Sequence, residues 1–597
     1  MKSIIRIGNA GGYWGDDLSA LKRQLQGGQL DYITMDFLAE ITMSIMQKQR
    51  ATNPELGYAT DFIDQLQECL PIIVEKNVRV ITNAGGINPL GLGQRIVGLA
   101  TKMGLKIKVG VVSGDDILSG IDHLVSLGEK FSNMETGEKF EDIRTRVTSA
   151  NIYFGAAPVV KALDAGCQIV VTGRVTDTGI TLAPMIHEFG WAHNDWDKLA
   201  AGIIAGHIIE CGAQSSGGNI SDWHDVKTFQ NIGYPIVEIE PSGEFTVTKH
   251  PNTGGLVSEK TVKEQLVYEM GDPSNYITPD VIACFDTIQI KKSGKDRVRV
   301  FGIKGKPATQ FLKVSMSFDD GFKASGELLV CGPEAYAKAK VISEIFWKKV
   351  GHTFEATDTA VVGAGSCWPK QLSPYEANEI FLKFGALDHD PSKLKDFGKA
   401  LSTVILSGPA GMAVTGKGRP KPSPVVAYWP ALMNRNNAKA RAYALTDGGE
   451  QSWDIDFHMN AADLVQPAPI KKPKRALPKL PSGKIRTGIL RDLCYARSGD
   501  KGDTANVGVL ARSPEAYTWI IKNLTVPKVK SFFKGITKGK VVRYELDNLQ
   551  GLNFLLEETL GGGGTKSLLT DPQGKTLAQA LLQMEIKYPA AILKTIK

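Results

Sequence analysis

CQIVVTGRVTDTGITLAPMIHEFGW, Cys167 to Trp191, is the stretch on which the fold turns. An apolar run, IVV, ends at Gly173 and Arg174, and a segment with helical spacing starts a few residues later. A strand that is apolar on both faces has to be covered on both, as strands of parallel sheets are. The same order recurs upstream. SIIRIG precedes DDLSALKRQLQ, LDYITMD precedes FLAEITMSIMQKQR, and VRVITNAGG leads through GQRIVGLATKMG to LKIKVGVVSGDD. This alternation predicts an α/β fold, with a largely parallel sheet and flanking helices, Rossmann-like or barrel-like. Right-handed crossovers would gather the strands' C-terminal ends on one edge.

Beyond residue 233 the texture changes. Residues 1–233 read as the parallel α/β domain, and 234–460 as a mixed α+β second unit that completes the core. Residues 461–482, rich in proline and lysine, read as an extended linker. Residues 483–597 read as a small α+β domain of ordinary size. A chain of 597 residues is too long for one hydrophobic core, and 42% hydrophobic with 22% charged residues is ordinary globular composition. The net charge of +7 is spread along the chain, so no nucleic-acid footprint stands out, although an anionic small molecule would be welcome. Seven scattered cysteines without a CxxC pair favour reduced thiols over a disulfide framework or a zinc site. With no leader-like start and no run of about 18 apolar residues, the expectation is a cytoplasmic protein away from membranes; a homo-oligomer is expected separately.

The polar strand ends are the first candidate site. GNAGGYWGDD (Gly8–Asp17) turns from strand to helix, and Gly11 and Gly12 let the backbone approach an anion at the helix start. The spacing is not G-x-G-x-x-G, and a tight structural turn accounts for the glycines as well. Asp36 follows DYITM; Asn83, Gly85 and Gly86 follow RVIT; Asp115 and Asp116 follow VVSG; Arg174 and Asp177 follow VVTG. Such ends meeting on one edge form the crevice where α/β sheets and barrels bind ligands. Carboxylates beside an arginine act as acid and base or hold a hard cation such as Mg²⁺; helix capping is the alternative for Asp116.

GHIIECGAQSSGGN places His207, Glu210 and Cys211 on one helix face. His207 or Glu210 would transfer protons, with Ser215 to Asn219 as an anion loop, against the alternative of a satisfied buried histidine. Near the C-terminus, ARSGDKGDTAN crowds Arg497, Asp500, Lys501 and Asp503 between two strands, with Gly499–Asp500 as turn residues. The later glycine run, including Gly562 and Gly563, would meet this cluster if the flanking strands pair. LGGGGTKS lacks the glycine a phosphate-binding loop needs before its lysine and leads into SLLTD, read as a strand, so nucleotide hydrolysis is not expected.

Taken together, RIGNAGGYWGDD, LDYITMDFLAEITM, TNAGGINP, the block from Asn151 to Thr178, GHIIECGAQSSGGN and the block from Thr248 to Val281 resemble the acyclic terpene utilisation AtuA family. ARSGDKGDTANVGVLAR and LGGGGTKSLLTDPQGKTLAQALL are similar to the ferredoxin-fold domain often fused to it. The resemblance implies a place in catabolism of branched acyclic terpenoids through acyl-CoA intermediates, with acyl-CoA carboxylase as a possible partner. It implies no residue-level mechanism. The two expectations are therefore an enzyme that hydrates, dehydrates or cleaves a branched acyl-CoA, and a non-catalytic accessory subunit of a carboxylase-type complex. In the first, Asp36, Asp116, Arg174, Asp177, His207, Glu210, Asp500 and Lys501 carry the chemistry, and the glycine turns, Ser215, Asn219, Arg497 and Asp503 bind the anionic substrate.

Overall fold

Strand and helix alternate through the first part of the chain. In the computed structural model, which describes residues 2–373, 376–416, 418–468 and 476–596, the strands in chain order are β1 (Ile5–Asn9), β2 (Tyr32–Met35), β3 (Arg79–Thr82), β4 (Val109–Ser113), β5 (Val147–Ile152) and β6 (Ile169–Thr172). All but β5 join one sheet in the order β1-β2-β3-β6-β4, every pairing parallel. Alternate residues enter different cores. Tyr32, Ile81, Val112 and Val170 face one, with Leu182 and Ile203 of the helices Gly179–Phe189 and Trp196–Ile209. Ile33, Val80, Val111, Ile169 and Val171 face the other, with Phe62, Leu66 and Ile96 of Thr60–Lys76 and Pro89–Lys102. The period of two and the two covered faces account for the continuous apolar runs.

The full sheet is mixed, which corrects the expectation of a largely parallel one. β7 (Pro235–Ile239) and β8 (Phe245–Lys249) extend it antiparallel beyond β1, followed by Arg297–Phe301 and Gln289–Gly294. Lys439–Thr446 and Gly449–Asp456 extend it antiparallel beyond β4, giving an eleven-stranded sheet. Short hairpin connections permit only antiparallel pairing, and the added hairpins cover edges that the parallel core would leave open. Pairing also crosses residue 233 the other way, because β5 pairs with the long strand Phe311–Cys331 of a second sheet. That strand shifts register between Asp319 and Phe322, where Gly321 sits at φ +80°. It then pairs with Glu379–Asp388. Of the linker 461–482, residues 469–475 lie outside the described residues.

In the C-terminal part, Cys494–Lys501, Thr504–Ala511, Gly551–Leu556 and Val541–Leu546 form a four-stranded sheet backed by the helices Pro514–Asn523, Val526–Phe532 and Leu577–Leu582. Two expectations change here. Asp500 and Lys501 pair with Ala505 and Thr504, so the hairpin tip is Gly502–Asp503, with Gly502 at φ +63°. SLLTD forms no strand. Lys323 and Lys383 donate to the carbonyls of Thr565, Leu568 and Leu569, so this loop's backbone is satisfied by the neighbouring sheet and not by a ladder of its own.

Two asparagines fasten the C-terminal sheet to segment 267–271. Asn506 accepts from Glu269 N at 2.8 Å and donates to Val267 O at 2.7 Å and Asn553 Oδ1 at 3.0 Å. Asn553 donates to the carbonyls of Met270 and Gly271 at 2.7 and 2.9 Å. Both side chains are buried. Asn553→Leu would strand these carbonyls, and we expect a loss of about 2 kcal/mol, read as a lower urea midpoint. An unchanged midpoint would show that the two amides do not secure the junction.

Candidate functional site

The parallel register sets the polar strand ends side by side. Asp36 follows β2 directly; its Oδ1 lies 2.5 Å from Nδ2 of Asn83, which follows β3, and accepts from Leu38 N at 3.0 Å. Asn83 Nδ2 also lies 3.5 Å from Asp177 Oδ1, past the end of β6, and its Oδ1 accepts from Phe37 N at 2.7 Å. Arg174 Nη1 is 3.6 Å from Asp177 Oδ1 and donates to Leu38 O at 2.7 Å. Its Nη2 donates to Tyr153 OH at 2.9 Å, and the guanidinium stands 4.3 Å from the Tyr153 ring centre. Two carboxyls, one amide and one guanidinium thus occupy one crevice. Asp36 is buried, whereas the Asp177 side chain keeps 32% exposure and is the more open of the two.

Burial separates the two acids from ordinary carboxylates. It pushes Asp36 from its usual 3.8 up to about 6, with the Arg174 charge and the Asn83 hydrogen bond pulling the other way. Asp177 is raised well above its usual value by desolvation and by the neighbouring Asp36, with Glu210 and Glu269 adding repulsion. Crowded this way, the two carboxyls resist ionising together.

Helix Trp196–Ile209 delivers His207 and Glu210 to the same region. His207 is buried, its Nε2 lies 3.0 Å from Gln265 O, and its Nδ1 lies 3.0 Å from Glu210 Oε1 without the alignment of a hydrogen bond. The carbonyl can only accept, so Nε2 carries a proton. Glu210 Oε2, Ser215 Oγ, Thr176 Oγ1 and Arg174 Nε are also buried without a hydrogen-bond partner from the chain.

Several residues singled out from the sequence turn out to be architectural. Asp116 is exposed and accepts from Leu118 N in a turn; its buried neighbour Asp115 takes the interior place, accepting from Asn151 Nδ2 and Arg174 N. The N–H groups of Gly11 and Gly12 are taken by Asn9 and Asp16, which leaves no anion nest. A Cβ on Gly12 would stand 2.6 Å from Gly212 N, so this glycine lets two backbones touch. Gly85 is pressed against Thr172 O, and Gly86 needs its φ of +51°. Asp503 accepts from the amides of Leu560 and Gly562, so it shapes the turn that includes Gly562 and Gly563. The cluster and the glycine run do meet.

Other residues bring the C-terminal domain to the crevice. Lys575 Nζ donates to Asp500 Oδ1 at 2.9 Å, Glu269 Oε1 at 3.2 Å and Tyr268 OH at 2.5 Å. Lys501 is exposed, with its Nζ 3.8 Å from where a Cβ on Gly271 would lie. Arg497 donates to Asn219 O, an asparagine held at φ +60°. Sequence reasoning missed Tyr153, Glu269 and Lys575 as site residues. Lys575 sits in DPQGKT, where a lysine follows a tight turn, and that was its one signal. Among the described residues no group of three or more His, Cys, Asp or Glu side chains is arranged to hold a metal ion.

A folded-state value above 3.8 makes ionised Asp36 a cost to the fold. Stability falls as pH rises from 3.8 to about 6 and is level beyond. Thermal melts should therefore show Asp36→Asn gaining on the wild type between about pH 4.5 and about pH 7.5. A constant difference across that range would place the ionisation elsewhere.

Among the described residues no helix is long and apolar enough to cross a membrane. No curated protein matches the chain. A crystal structure of aldoxime dehydratase is similar at 10% identity over 53% of this chain and 87% of that one, with a TM-score of 0.13, too low to bear on fold or function. Residues 489–587 match the AtuA ferredoxin-like domain. Residues 5–444, including the whole crevice up to Glu269, match the family described as acyclic terpene utilisation family protein AtuA, and the chain belongs to that family.

Proposed function

We propose that the crevice performs acid–base chemistry on a branched acyl-CoA of acyclic terpenoid breakdown, adding or removing water or cleaving a carbon–carbon bond beside the thioester. The observation that carries this reading is the Asp36–Asp177 pair of crowded carboxyls, both held above the ordinary range, with Asn83 and Arg174 between them. In the hydration direction Asp36 takes a proton from water as the oxygen bonds to the β-carbon of an enoyl thioester. The electron pair moves onto the thioester oxygen, where the Arg174 charge stabilises it. Asp177 then gives its proton to the α-carbon, and transfer between the two acids restores the start. Dehydration runs the same steps backwards. The Glu210 charge adds to the repulsion that favours the protonated form of Asp177.

An accessory subunit of a carboxylase complex is the weaker reading. Docking alone gives no reason to bury carboxyls at the cost that these shifts report.

With a branched enoyl-CoA as substrate, Asp36→Asn should lower kcat by about a hundredfold or more, as expected for a lost general base. The acidic limb of the kcat/KM profile, centred near pH 6 in the wild type, should disappear with it. Arg174→Gln should lower kcat by a similar factor. A panel of acyl-CoAs that produces neither a thermal shift nor turnover would sink the reading, and co-purification with carboxylase subunits would then favour the accessory role.

A further inference from the structure

A second cavity, of about 370 Å³, lies where residues 219–229 face the C-terminal domain. Its lining holds two cations, Arg497 and Lys575, and no carboxylate, with Trp223, Phe229 and Gln579 around them. Arg497 is 8% exposed, and its polar partner is the Asn219 carbonyl. Its guanidinium lies 4.9 Å from the centre of the Tyr268 ring, whose OH receives Lys575. A guanidinium so buried, hydrogen-bonded to a carbonyl and not to a carboxylate, is costly unless an anion joins it. The nearby Glu264 does not serve, because burial pushes it up to about 8 and it is largely protonated at neutral pH. Trp223 and Phe229 are 53% and 45% exposed, large apolar rings turned outward at the cavity's edge. A larger hollow of about 680 Å³ elsewhere carries Lys370, Lys528 and Lys534, none of them buried, and offers no comparable group.

We propose that this interdomain cavity binds a nucleoside phosphate, with the phosphate on Arg497, beside Lys575, and the base against Trp223 and Phe229. Arg497, buried and bonded to a carbonyl alone, is the cation a phosphate would join, Lys575 being already held by Asp500 and Glu269, and exposed aromatic rings offer a face on which a base can stack. The volume falls within the range of small-ligand sites. Two sources share this chemistry: the adenosine 3′-phosphate end of CoA, which rests on the thioester reading above, and a free mononucleotide. Lys575 also holds Glu269 and Asp500, so an occupant would touch the residue that ties the C-terminal domain to the crevice.

Calorimetry on the full chain with adenosine 3′,5′-bisphosphate, AMP and adenosine tests the site without reference to turnover. One of the two phosphates should bind, and adenosine should bind at least about tenfold more weakly, as a lost charge-assisted contact implies. Tighter bisphosphate points to CoA, and tighter AMP to a free nucleotide. Arg497→Gln should weaken the phosphate ligand at least about tenfold. Since Arg497 is buried, Trp223→Ala provides the surface control and should cost about tenfold through lost stacking. Adenosine equal to both phosphates, no binding of either phosphate, or unchanged affinity in a folded Trp223→Ala would each overturn the proposal. Nucleotide binding without any acyl-CoA turnover would leave the cavity standing and remove the thioester reading; turnover without nucleotide binding would do the reverse.

Discussion

Everything at the crevice follows from gathering acids at the ends of parallel strands, where water is scarce. Parallel pairing aims β1, β2, β3, β4 and β6 at one edge. Each strand's following residues then compete for the same small volume. Ionising both Asp36 and Asp177 there is unfavourable, and the fold answers with the Arg174 guanidinium and the Asn83 amide. Even so the compensation is partial, as the raised carboxyls and the unpartnered Arg174 Nε record. A partly compensated charge cluster is poor for stability and useful for moving protons.

The C-terminal domain acts on that cluster at one remove. Asn506 and Asn553 grip the backbone of 267–271, and that backbone presents Glu269, whose charge is felt by Asp177 and by the Cys211 thiol. Arg512 adds a two-pronged ion pair to Asp222, at 2.5 and 2.7 Å. The hairpin of charged residues near the C-terminus thus turns its strands toward the main body, and its lone two-residue tip is the part that behaves as an ordinary turn.

The parallel centre was legible because its strands are apolar on both faces, a pattern that a half-exposed sheet cannot produce. The antiparallel wings were not, since RVRVF and the strands around it alternate like any half-buried sheet and do not say which edge they join. Among site residues, Asp36, Asn83, Arg174 and Asp177 could be read because each closely follows an apolar strand run. Asp115 and Asp116 are adjacent and chemically identical, and only the turn at Gly114, held at φ +98°, decides which one points inward. Glu269 and Lys575 were hidden because they meet across about three hundred residues of sequence, a closeness that only tertiary packing creates.

The long strand Phe311–Cys331 divides into two stretches with different obligations. Before the bulge at Gly321 it hydrogen-bonds β5, and Lys313 O receives Tyr153 N at 2.9 Å, which fixes the ring beneath Arg174. After the bulge it pairs with Glu379–Asp388 and Met412–Val414, and at its start with Pro424 and Ser423, none of them β5. Drift in length and sequence between related chains is therefore cheap on the far side of Gly321 and expensive on the near side, where a one-residue slip would rotate Tyr153 out from under the arginine.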